Sequence, residues 1–172
     1  FMLTPLAVAF SVAIFEEILI RGIIFRIVEE KLGSVVALVL SVIIFGGVHS
    51  FNPGSTFIST LCTAIVGYVF GAAYVYSRNL WLPIAIHFSW NFTQSGIFGA
   101  ITSGNEKTTS LLNTHISGSE VITGGTFGPE GTLQAVVLWS IVAIILTILI
   151  TKQDKIIPYS FKPSKNHKTF QK

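Results

Sequence analysis

Charge is what this sequence most lacks: Asp, Glu, Lys and Arg together make up 11% of its 172 residues, against about 25% in a soluble globular domain. Cysteine is scarcer still. Cys62 stands alone, so no disulfide within the chain can staple the fold. Apolar residues reach 51% and the mean hydropathy is +0.70. These values exclude a disordered chain, a disulfide scaffold and an ordinary cytosolic domain. The length suits roughly one domain, and the composition puts that domain in lipid. The net charge of +3 is unevenly spread. From Thr151 onward there are six lysines and one aspartate, which leaves the rest of the chain net negative by two. A basic nucleic-acid-binding face does not fit that distribution; a membrane protein with a basic cytoplasmic tail, drawn to anionic lipid, does.

Five stretches are long and apolar enough to cross a bilayer, for which a helix needs about 20 residues: 1–25, 34–50, 55–77, 80–102 and 132–151. The third and fifth carry no charge, and the only ionisable groups of the second and fourth are His49 and His87. The expected fold is therefore an all-α, multi-pass transmembrane helix bundle. Residues 1–151 form its core and 152–172 its basic tail. Residues 26–31 (RIVEEK) read as the linker between the first two spans, and Arg78-Asn79 as that between the third and fourth. If these and the tail face the cytoplasm, that side holds Arg26, Lys31, Arg78 and the six tail lysines, whereas the other side holds only Lys107. This is a positive-inside bias. The Gly/Ser/Thr-rich stretch 103–131 has neither apolar periodicity nor a charge pattern, and it reads as a flexible extracytoplasmic loop. Gly67 and Gly71 form a G-x-x-x-G pair that permits close helix contact, read here as packing within the chain. The sequence starts at Phe1 with no basic flank, a poor signal peptide. A fragment is expected, preceded by an odd number of helices.

Polar residues at membrane depth carry the chemistry. A carboxylate or guanidinium there costs about 2.5–3.5 kcal/mol on insertion scales, yet Glu16, Glu17 and Arg21 fall within one apolar helix. Glu17 and Arg21 are four apart, share a face and can pair. Glu16 points about 100° away round the helix and has no such partner in its own segment, which frees it for chemistry. His49 closes the second span in Phe45-Gly46-Gly47-Val48-His49, and His87 and Asn91 share one face of the fourth.

Two chemistries fit. In one, a glutamate in an apolar setting acts as general base toward water, one histidine holds the water, and the other with the asparagine donates to the developing oxyanion. In the other, Glu16, His49 and His87 bind a metal, zinc by preference, with an open position for water. No H-E-x-x-H and no G-x-S-x-G occurs, and Cys62 sits in a plain apolar span. A transporter with Glu16, His49 and His87 as a proton relay is a weaker reading, because no paired broken helices are apparent.

In chain order, Glu16-Glu17-Ile18-Leu19-Ile20-Arg21 matches E-E-x-x-x-R, Phe45 to His49 matches F-x-x-x-H, and His87 to Asn91 matches H-x-x-x-N. Together they resemble the CPBP family of intramembrane endopeptidases, the CAAX-prenyl-protease-like and bacteriocin-processing (Abi) proteins. The resemblance spans residues 16–91. It implies that Glu16 activates water together with His49, that His87 and Asn91 stabilise the oxyanion, and that Glu17, Arg21 and Phe45 support the site. It also implies a bundle of about eight membrane helices, so that three would precede residue 1. The substrate would be a peptide or lipidated protein. Bacterial members are also linked to bacteriocin immunity, so a non-catalytic peptide-binding protein is the alternative from another class. Whether a metal takes part stays open.

One expectation concerns depth. At about 1.5 Å per residue from the cytoplasmic ends, Glu16 lies about 18 Å deep and His49 about 22 Å, but His87 only about 10–12 Å. Helix tilt, or a fourth span that begins deeper near Pro83, must close that gap.

Overall fold

A computed structural model describes residues 2–105 and 109–159. Among them there is no strand, and the chain is a helical bundle. Helix α1 (Leu3–Glu17) runs into a wider π-helical stretch, Ile18–Phe25, and then into α2 (Arg26–His49). Helices α3 (Phe57–Ser77) and α4 (Trp81–Asn91) follow, the latter extended by a second π-helical stretch, Phe92–Ile97. A single turn, α5 (Glu120–Thr123), and a 3₁₀ turn, Pro129–Gly131, lead into α6 (Leu133–Lys152). Three helical stretches are long and apolar enough to cross a membrane: Leu3–His49, Phe57–Ser77 and Leu133–Lys152. The architecture is that of a multi-pass helical membrane protein.

The first of these stretches is a hairpin. Arg21 and Ser41 would lie about 30 Å apart in a straight helix, yet the Arg21 guanidinium donates to the Ser41 hydroxyl at 3.1 Å. The chain reverses at Gly33, whose φ of 82° and ψ of 166° are non-helical and which only glycine adopts readily. The expected linker 26–31 is therefore helical, and one residue makes the turn. The expected fourth span is also shorter than its apolar run, because helical structure ends at Ile97 and Gly99 turns the chain at φ 65°.

Helix α3 is the central element, packed against α2 on one side and α6 on the other. Gly67 and Gly71 make the first contact possible. A methyl group on Gly67 would lie 2.7 Å from Phe45 Cβ and 2.9 Å from the Ser41 carbonyl oxygen. The pair thus serves packing within the chain. Thr56 and Ser59 close a reciprocal capping box at the start of α3, satisfying amides that the helix leaves unpaired.

The Gly33 turn is fastened from below by residues 153–159. The Ile157 carbonyl accepts from the Ser34 amide at 2.9 Å, and the Ile157 amide donates to Ser34 Oγ at 2.9 Å. Ser34 Oγ in turn donates to Glu29, which also pairs with Arg78 at 2.8 Å. A Gly33 side chain would meet the Ile157 carbonyl oxygen and the Tyr159 amide nitrogen, each at 2.8 Å. Gly33→Ala is therefore expected to destabilise the protein by about 1–3 kcal/mol through backbone strain alone. It should also speed tryptic cleavage after Lys155; an unchanged unfolding midpoint with unchanged proteolysis would refute the account.

The stretch expected to be a flexible loop has no regular structure over 109–119, and it is tied to the bundle at several points. The amides of Leu111 and Leu112 donate to the carbonyls of Gly96 and Ile97 at 2.8 Å, and the Gly104 amide to that of Phe127 at 2.9 Å. Phe127 is wholly buried. Burial of this one ring and the backbone pairing around it hold the segment over the end of the bundle opposite Gly33.

Candidate active site

Glu17 and Arg21 form the buried frame of the site. Both side chains are 0% exposed and their ion pair measures 3.0 Å, the i, i+4 contact expected from their spacing. A lone buried charge is costly, and pairing helps only when the remaining donors are also satisfied. Here the second guanidinium nitrogen donates to Ser41 Oγ at 3.1 Å and to the Gly67 carbonyl at 2.8 Å, while Arg21 Nε and Glu17 Oε2 are left without a hydrogen-bond partner. The planar cation also lies 4.9 Å from the centroid of the Phe45 ring and 5.2 Å from that of Phe70, at cation–π distance. Arg21 thereby joins three helices, from within the π-helical stretch that follows Glu17. Such widened turns are frequent at functional sites, and the apolar run gave no sign of this one.

Each of the two rings carries a histidine. Phe45 stacks on His49 with centroids 4.4 Å apart, and Phe70 on His87 at 4.9 Å. The four-residue spacing of Phe45 and His49 has a second result: His49 Nδ1 lies 2.8 Å from the Phe45 carbonyl oxygen. A carbonyl can only accept, so Nδ1 carries the proton and donates, which leaves Nε2 for the cavity. His87 is held in the same way by a different partner. Its Nδ1 lies 3.0 Å from Glu17 Oε1, and its Nε2 is turned to Glu16 Oε2 at 4.0 Å.

The depth mismatch is closed by the start of α4. Leu80 packs against Gly22, where an added methyl would come within 3.2 Å of its Cδ1. The chain thus drops from Arg78, which is tied to Glu29, to Leu80 beside Gly22 in two residues, and His87 reaches the level of Glu17.

Glu16 differs from its neighbour. Its side chain is 29% exposed where that of Glu17 is 0%, and it lacks the 3.0 Å pairings to Arg21 and His87 that Glu17 makes through Oε1. Glu16, His49, His87 and Asn91 all line one cavity of about 430 Å³. The structure therefore gathers the four residues singled out for chemistry, with Phe45 lining the cavity beside them and Glu17 and Arg21 standing behind. Among the described residues, however, no three His, Cys, Asp or Glu side chains are grouped closely enough to hold a metal ion. Glu16, His49 and His87 share the cavity without forming a ligand set.

One wall of the cavity was not anticipated. Glu130, in the segment before α6, is 6% exposed. Its Oε1 accepts from the Trp90 indole nitrogen at 2.7 Å and from Gln94 Nε2 at 3.1 Å, and its Oε2 accepts from the Ser103 hydroxyl. Trp90 and Gln94 flank Asn91 on α4, so this carboxylate clasps the folded segment onto the helix that carries His87 and Asn91. Asn52, which follows α2, adds a bond from its side-chain amide to the Ser103 carbonyl at 2.8 Å. A glutamate in a Gly-rich connection has no periodicity to mark it, and no residue spacing could have revealed this role.

A family model described as type II CAAX prenyl endopeptidase Rce1-like matches residues 1–93. The matched stretch contains the three motifs at 16–21, 45–49 and 87–91. No curated protein and no solved structure matches the chain.

Proposed function

This chain belongs to the Rce1-like type II CAAX prenyl endopeptidase family, and from that premise we propose that it hydrolyses a peptide bond within a membrane-associated peptide or lipidated protein, using water activated by Glu16. The observation that carries the reading is the pairing of two unlike neighbours. Glu17 is buried and held through Oε1 by Arg21 and His87, whereas the Glu16 side chain is part-exposed and lines the cavity, its Oε2 4.0 Å from His87 Nε2.

In this mechanism Glu16 takes a proton from water as the oxygen attacks the scissile carbonyl. His49 Nε2, an acceptor while Nδ1 is bonded to the Phe45 carbonyl, orients the same water. The developing oxyanion meets the side-chain amide of Asn91. His87 assists from Nε2 when both ring nitrogens are protonated, since its Nδ1–H is already given to Glu17. As the tetrahedral intermediate collapses, the C–N bond breaks and Glu16 returns its proton to the leaving amine. Glu17 and Arg21 make no contact with substrate; they fix the ring of His87.

We take the mouth of the cavity to lie toward Asn52, Ser103 and Glu130, which are in its lining, and away from Gly33, Arg78 and Ile157 at the other end of the bundle. With the lysine-rich tail in the cytoplasm, the mouth faces the extracytoplasmic side. The test is cleavage of a peptide library by the protein in vesicles of known orientation, wild type beside Glu16→Ala, each with and without a strong chelator. Cleavage that is confined to peptides on the side away from the tail, lost in Glu16→Ala and kept under chelation is the expected result. Loss under chelation would return Glu16, His49 and His87 to the role of metal ligands. Peptide binding without cleavage, in wild type and variant alike, would instead indicate an immunity-type binding protein.

A further inference from the structure

We propose that Glu130 is a specificity-determining residue that selects a cationic side chain, Lys or Arg, close to the scissile bond of the peptide substrate. This rests on the reading of the cavity as the substrate site. Among the described residues, the charged side chains that line the cavity are Glu16 and Glu130, and no lysine or arginine is among them. Nor does any cation among those residues pair with Glu130, in contrast to Glu17 with Arg21 and Glu29 with Arg78. The other two largely buried carboxylates of the bundle each have an arginine; Glu130 has neutral donors.

Three hydrogen bonds, from Trp90, Gln94 and Ser103, hold the Glu130 carboxylate in place and lower the cost of burying it. They leave its charge uncompensated. A fixed anion at the wall of an apolar-sided cavity attracts a cation more strongly than a surface carboxylate does, because little water screens it. A carboxylate has about four lone-pair sites, and three donors leave room for one more. Glu16 is the second anion in the same space, but the mechanism requires it to act on water, so lasting recognition of charge falls to Glu130. The clasp also fixes where the cation binds. Trp90 is the residue before Asn91, so a lysine held at Glu130 sits beside the helix turn that meets the oxyanion, within a few residues of the bond being cut.

The charge and the clasp are separable. Glu130→Gln keeps the size of the side chain and a carbonyl oxygen to accept from Trp90 and Gln94, reverses the bond to the Ser103 hydroxyl, which must then accept from the new amide, and removes the charge. The experiment uses pairs of peptides identical but for Lys or Gln at one of the four positions on either side of the cut, with the intact protein in nanodiscs. Both binding and kcat/KM are measured. The wild type is expected to prefer the Lys member at one position by about tenfold, the scale of one charge-assisted hydrogen bond, with the preference weakening as salt rises. In Glu130→Gln the ratio should fall to near one. The ratio is internal to each protein, so a loss of folded material cancels. No preference in the wild type overturns the proposal without any variant, as does a preference that survives in Glu130→Gln. A Lys preference in binding without any cleavage upholds Glu130 as the cation reader and counts against the peptidase reading alone. Cleavage without charge preference has the opposite meaning.

Discussion

Replacing Glu16 with glutamine is expected to lower kcat for peptide cleavage by about 10²–10⁴-fold, the usual contribution of a positioned general base, while the unfolding midpoint stays close to that of the wild type. The two halves of this result follow from one observation. The Glu16 side chain is part-exposed to the cavity, and its contact with an ionisable group is the 4.0 Å approach to His87 Nε2. Little of the fold therefore depends on its charge, whereas the proposed proton transfer depends on it entirely. KM should move less than kcat, because an amide of the same shape leaves the cavity walls in place. Single-turnover cleavage alongside thermal unfolding in detergent measures both quantities. A Glu16→Gln protein that cleaves at more than a tenth of the wild-type rate would end the assignment of Glu16 as base.

At Arg21 the larger effect is on stability. Arg21→Met is expected to cost about 3–5 kcal/mol, the range for removing one partner of a buried ion pair. The side chain is wholly buried, and its loss strands the Glu17 carboxylate beside His87 with no cation from its own helix. Arg21→Lys should rescue only part of the loss, since an ammonium is a point charge and lacks the planar fork. That fork reaches Glu17, Ser41 and the Gly67 carbonyl at once, and lies against Phe45 and Phe70. The pair Glu17→Gln with Arg21→Met should be less damaging than Arg21→Met alone, because it leaves no bare charge. Chemical unfolding of the three variants tests this order. If Arg21→Met unfolds within 1 kcal/mol of the wild type, then by the same scale the pair is not the frame described above.

The sequence by itself determined what depends on short-range geometry and on solvent preference. A low charge content and long apolar runs sufficed for a helical membrane bundle, because lipid leaves the backbone no other way to satisfy its hydrogen bonds except closed barrels. Spacings of four residues were enough for the Glu17–Arg21 ion pair and for the Phe45–His49 unit, since one helical turn joins them whatever the rest of the chain does. Their polarity on otherwise apolar helices singled out Glu16, His49, His87 and Asn91, which the fold brings to one cavity.

What only the tertiary structure decided are the contacts between elements, whose register no local pattern encodes. The charged run 26–31 looks like a linker, yet Gly33 is the turn, because residues 153–159 pack so closely beneath it that a side chain there would strike their backbone. Glu17, not Glu16, takes the near contact to His87 because α4 begins beside Gly22, a depth set by how Leu80 packs. Glu130 reaches the cavity only because Phe127 is buried and folds its segment inward. The spacing to Arg21 already sets Glu17 apart from Glu16 in the sequence; the contact with His87 is what the fold adds. Burial against a second helix leaves the Glu17 side chain 0% exposed and that of Glu16 29% exposed.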